Sequence, residues 1–133
     1  VRCGHGRIFD AAADLRPGSK TFGKSFALEL SGVNGLMLYV PAGFAHGFYA
    51  LTDDAEVMYK CSREYAPAHD AGVRWDDPVL KIKWPGKKPA LSPKATTLSP
   101  AASQSSMRRS CTSTRTVPTR PQHRSQNVGV PVV

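Results

Sequence analysis

The sequence predicts an all-β protein, a sandwich or barrel of short strands, on three observations. Apolar residues recur with a period of two in several short runs. Turn-forming residues punctuate the chain every eight to twelve positions. No stretch of ten or more residues in the first 90 carries a helical period.

The first clear run is Arg7–Arg16, RIFDAAADLR, where Phe9, Ala11, Ala13 and Leu15 alternate with Asp10, Asp14 and Arg16. This predicts a half-buried strand with its acids turned outward, ending at the Pro17-Gly18 turn. Phe22–Leu30 repeats the pattern, with Phe22, Phe26, Leu28 and Leu30 inward and Lys24 misplaced among them. Asn34-Gly35 then signals a hairpin, which predicts a partner strand over Leu36–Val40, closed by Pro41. Two further strands are read in LYVPAGFAHGFYALTDDAEVMYKC, residues 38–61, joined at Thr52-Asp53-Asp54. On the first, Phe44, His46, Phe48 and Ala50 share a face; on the second, Val57, Tyr59 and Cys61 do. A histidine and a tyrosine inside an all-β container form a candidate proton-transfer pair. Beyond Cys61 the text is loop-like as far as Trp84-Pro85, and Trp75 and Trp84 are read as packing anchors. Five strands do not close a barrel, so sheet edges would be left unpaired.

Charge divides the chain unevenly. Residues 1–90 hold all ten acids against twelve Lys/Arg, whereas 91–133 hold six Lys/Arg and no acid. The tail also lacks aromatic residues and is rich in Ser and Thr. Such a segment buries too little apolar area to offset its ordering entropy, so a disordered basic tail is expected. Its arginines are scattered, without aromatic interleaving, which argues against specific nucleic-acid binding. No apolar run of transmembrane length is present and no membrane association is expected. Cys3, Cys61 and Cys111 have no metal-type spacing, consistent with reduced thiols in a cytoplasmic protein. His5, His46, His69 and His123 give no closely spaced pair, so no metal and no other cofactor is expected. Asp76-Asp77 is read as a turn cap or a partner of Arg74.

Several runs taken together resemble the dTDP-4-dehydrorhamnose 3,5-epimerase family: FDAAADLR (9–16), TFGKSFALELS (21–31), VPAGFAHGFYAL (40–51), AEVMYKC (55–61), EYAP (64–67) and RWDDP (74–78). The resemblance covers about residues 1–94. It implies a partial cupin-type jelly roll over residues 1–90, the C-terminal part of the family's barrel, followed by the low-complexity tail 91–133. It also implies a homodimer and a dTDP-sugar substrate. The implied reaction is cofactor-independent epimerisation of dTDP-4-dehydro-6-deoxyglucose at C3 and C5, giving dTDP-4-dehydro-L-rhamnose. By the same resemblance Tyr59 matches the family's proton donor and His46 a substrate-contacting histidine. Asp70 falls where the family has a substrate-contacting glutamate.

The sequence also departs from the family. The family's base is a histidine in an RGxH-type motif, which these 133 residues do not contain. Its aspartate partner, in LSxKD, is replaced in Leu91-Ser92-Pro93-Lys94-Ala95 by Ala95. The alternative expectation is therefore a non-catalytic member that lacks both halves of that dyad.

Overall fold

A computed structural model describes residues 1–64 and 72–86, together with two short strand segments, Ala90–Leu91 and Asn127–Gly129. The expected tail, 91–133, lies outside the described residues except for Leu91 and Asn127–Gly129. The strands in chain order are β1 (Arg2–His5), β2 (Arg7–Asp14), β3 (Ser25–Ser31), β4 (Phe44–Ala50), β5 (Glu56–Met58), β6 (Ala90–Leu91) and β7 (Asn127–Gly129). Among the described residues there is no helix. β1 and β5 pair antiparallel as a two-stranded sheet, and the other five form a sheet in the order β3-β2-β4-β7-β6.

The register fixes which residues share a face. Ala12 lies between Phe26 on β3 and His46 on β4, and Asp10 lies between Leu28 and Phe48. One face of the large sheet therefore carries Ile8, Asp10, Ala12, Phe26, Leu28, Leu30, His46 and Phe48. The small sheet covers part of this face. Cys3, Ile8 and Leu30 are buried there, with Val1, Leu38, Ala55 and Val57 packed around them. The opposite face carries Ala13, Ala45 and Tyr49, and the chain after Cys61 wraps over it with Val73, Trp75, Leu80 and Trp84. The two tryptophans act as the expected anchors. Trp84 stacks edge-on against Phe9 at 5.7 Å, and its indole N–H donates to the Trp75 carbonyl at 2.7 Å. In the RWDDP turn Asp76 pairs with Arg74 through two hydrogen bonds, and the Asp77 carboxylate accepts the Val79 and Leu80 amides.

Three local expectations are corrected. β2 is buried on both faces rather than one, because the small sheet and the C-terminal wrap cover it from opposite sides. Asp10 and Asp14 are thus interior carboxylates, not solvated ones. Phe22 and Gly23 belong to a turn, with Phe22 N–H donating to Ser19 O and Lys24 N–H to Thr21 O. Leu36–Val40 is not a strand. The Asn34 side chain donates to the Glu29 carbonyl at the β3 edge and accepts from the Ser31 and Leu36 amides. This blocks hairpin pairing, and the chain crosses instead to the small sheet, where Leu38 N–H donates to Val1 O and Met37 bridges Arg2.

Leu30 is completely buried at the junction of the two sheets. Leu30→Ala is expected to cost about 3 kcal/mol, the transfer loss plus a cavity. Urea unfolding monitored by tryptophan fluorescence measures it.

Candidate active site

The interior face of β4 centres on His46. Its Nε2 lies 2.7 Å from Asp10 Oδ1, and the side chains of the pair are 9% and 0% exposed. The contact is diagonal across the β2–β4 ladder, because His46 is directly opposite Ala12 and Asp10 opposite Phe48. A small residue at position 12 leaves room for the imidazole to reach along the strand. A carboxylate oxygen can only accept, so Nε2 carries the shared proton and Nδ1 is the ring nitrogen left to address a ligand. Asp10 Oδ2 is buried and has no hydrogen-bond partner among the described residues. Phe44 and Phe48 lie on either side of His46 along the same face, so the pair sits in a largely apolar setting.

Tyr59 lies at the end of the small sheet. It follows β5 by one residue, in the same alternation as Val57, which packs into the cluster between the sheets. Burial, with the neighbouring Cys61 thiol second, raises the phenol above its ordinary value. Tyr59 is accordingly a protonated hydroxyl at neutral pH, the form that a proton donor needs. His46 thus lies on the large sheet, and Tyr59 directly follows the small one. Asp70 lies outside the described residues.

The sequence reading missed Asp10. An acid inside the apolar run FDAAAD was the available signal, but alternation alone assigned it to solvent. A second interior carboxylate, Asp14, closes one end of β2. Arg16 donates to it through Nε at 2.9 Å and Nη2 at 2.7 Å, and the Ser19 and Thr21 hydroxyls each donate to Oδ2 at 2.6 Å. The Arg16 guanidinium, ahead of these hydroxyls, holds the Asp14 carboxyl far below the usual carboxylate range despite its burial. The same guanidinium lies 4.8 Å above the Phe44 ring, next to the strand that carries His46. Gly43 makes this approach possible. Its φ is +84°, and a Cβ there would lie 2.6 Å from Arg16 Cγ. Among the described residues no three His, Cys, Asp or Glu side chains converge to hold a metal ion.

The family model described as dTDP-4-dehydrorhamnose 3,5-epimerase matches residues 1–102. A protein of that name from Sinorhizobium fredii is 52% identical over 85 residues, covering 64% of this chain and 44% of the relative. The Escherichia coli relative of the same name is 48% identical over 85 residues, covering 64% and 46%. Among solved structures, the Legionella pneumophila dTDP-6-deoxy-D-glucose-3,5-epimerase in complex with dTDP-4-keto-L-rhamnose superposes with a TM-score of 0.72 at 40% identity. That match covers 75% of this chain and 54% of the other. NovW, a 4-keto-6-deoxy sugar epimerase from Streptomyces spheroides, gives 0.73 at 39% identity, covering 76% and 51%. The chain spans about half the length of the curated relatives it matches. With the sheets, the interior histidine and the tyrosine in place, the conclusion is that this chain belongs to the dTDP-4-dehydrorhamnose 3,5-epimerase family.

Proposed function

We propose that this protein is a carbohydrate epimerase of dTDP-L-rhamnose biosynthesis, interconverting dTDP-4-dehydro-6-deoxyglucose and dTDP-4-dehydro-L-rhamnose. The ketone at C4 acidifies the hydrogens on C3 and C5, so removal of a proton gives an enolate and its return on the other face inverts the carbon. Tyr59 is the acid that returns the proton, and His46 contacts the sugar through Nδ1. Asp70 is a further substrate contact. The observations that support this reading are a carboxylate-held interior histidine and a phenol kept neutral by burial, within a chain of this family. The assembly is a homodimer and the setting cytoplasmic. Among the described residues no helix is long and apolar enough to cross a membrane.

A second reading has its own observation, Ala95 in the position of the family's aspartate. It makes the chain a barrel that binds the dTDP-sugar without inverting it. Calorimetric titration with dTDP, followed by an NMR assay of product, separates the two. Binding with formation of dTDP-4-dehydro-L-rhamnose supports the epimerase. Binding without product supports the second reading, and no binding of dTDP contradicts both.

A further inference from the structure

The small sheet buries one face and leaves the other open. On β1 and β5, Cys3 and Val57 turn inward to the core, so Arg2, Gly4, Glu56 and Met58 turn outward. A Cβ on Gly4 would collide with Met58 Cε and meet Glu56 Oε2 at 3.8 Å, which places these positions on one surface. Met37 bridges Arg2 from the other side, and Leu38 packs into the core, so Met37 and Tyr39 turn outward as well. Met37 is 68% exposed, Tyr39 86% and Met58 41%. Large apolar side chains gathered at that exposure on one sheet face mark a contact surface. The bare Gly4 backbone keeps its centre flat. Two opposite charges stand on the same surface. The Arg2 guanidinium lies 3.9 Å from Met58 Sδ, and among the described residues neither Arg2 nor Glu56 has an ion-pair partner.

We propose that this outer face of the β1–β5 sheet is the surface on which a second copy of the chain docks. A cation and an anion on one patch are what a two-fold contact requires. The rotation lays Arg2 of one copy against Glu56 of the other and repeats the pairing in reverse, around a centre of Met37, Tyr39 and Met58. The same patch then serves both copies, and no second surface is needed. The inference rests on the homodimer of the proposed function and assigns that dimer its surface. The face points away from the core cluster between the sheets, so docking there leaves the interior side of the small sheet unchanged.

The test is sedimentation equilibrium of the 133-residue chain between about 1 and 200 µM, with thermal melting to confirm that each variant is folded. Wild type is expected to dimerise with a Kd of about 10 µM or tighter. Arg2→Glu and Glu56→Arg each set like charges against one another and are expected to weaken the dimer at least about 50-fold. The double variant rebuilds both pairs with their signs exchanged, and its Kd should return to within about fivefold of wild type. Tyr39→Ser, which removes the most exposed apolar side chain of the three, is expected to weaken the dimer about tenfold. A dimer whose Kd is unchanged in Arg2→Glu, Glu56→Arg and Tyr39→Ser overturns the inference and leaves the homodimer standing on another surface. Weakening in both single charge variants without recovery in the double variant overturns the Arg2–Glu56 pairing. A wild type that stays monomeric at about 200 µM overturns the homodimer and this inference together, and leaves the face to a partner of another kind.

Discussion

Tyr59→Phe is expected to lower the rate of epimerised product formation about 10²- to 10³-fold while leaving dTDP affinity within a few-fold of wild type. The magnitude is that of a general acid removed from a proton-transfer step. Phenylalanine preserves the ring and the apolar contacts, so the change isolates the hydroxyl. The direction of the Tyr59 shift adds a pH signature. Burial raises the phenol above its ordinary value of about 10. The acid form therefore persists through neutral and mildly alkaline pH, and activity should not show a loss attributable to tyrosine ionisation below about pH 10. NMR-monitored product formation across pH 6 to 10, for wild type and Tyr59→Phe, checks both statements. A fall of twofold or less in the variant would remove Tyr59 from the acid role.

The second large effect concerns the fold. Asp14 is 1% exposed and accepts from the Arg16 side chain, the Ser19 and Thr21 hydroxyls and the Arg16 backbone amide. Asp14→Ala strips all of these donors of their acceptor and is expected to cost about 2–3 kcal/mol, with Arg16 released from its place over Phe44. The sign of the pH dependence follows from the depressed pKa of Asp14. Its ordinary value is near 4, and in the folded chain the carboxyl holds its charge well below that. The stabilisation is therefore fully present above the ordinary carboxylate range and is lost as the pH falls from about 5 toward 2. The melting-temperature gap between wild type and Asp14→Asn should be widest at neutral pH and narrow steadily on acidification. A gap that does not change with pH would show that the Asp14 charge contributes nothing to stability.

The sequence was most legible where a strand's alternation is a local property. Phe44, His46, Phe48 and Ala50 fall on one face as predicted. The family resemblance matched His46 and Tyr59 to roles. Alternation became misleading at β2, because a period of two says which residues share a face but not whether that face is covered. Both faces of β2 are covered by other segments, the β1–β5 sheet on one side and residues 73–84 on the other, and β5 and residues 73–84 are distant in sequence. Asp10 was read as solvated for that reason, and its pairing with His46, 36 positions away, is a consequence of register that no local pattern encodes. The hairpin expected at Asn34-Gly35 failed on side-chain chemistry. The Asn34 amide takes the hydrogen bonds that a returning strand would have made, and the chain passes to the other sheet.

The face that carries Asp10 and His46 is proposed to receive the sugar of a dTDP-sugar. The most direct measurement is a crystal structure of the chain with dTDP-glucose, which has no ketone and cannot enolise. The pyranose ring is expected within hydrogen-bond reach of His46 Nδ1 and the Tyr59 hydroxyl, with the Nε2–Asp10 contact preserved. A bound dTDP-glucose lying elsewhere on the molecule, with this face empty of ligand, would contradict it.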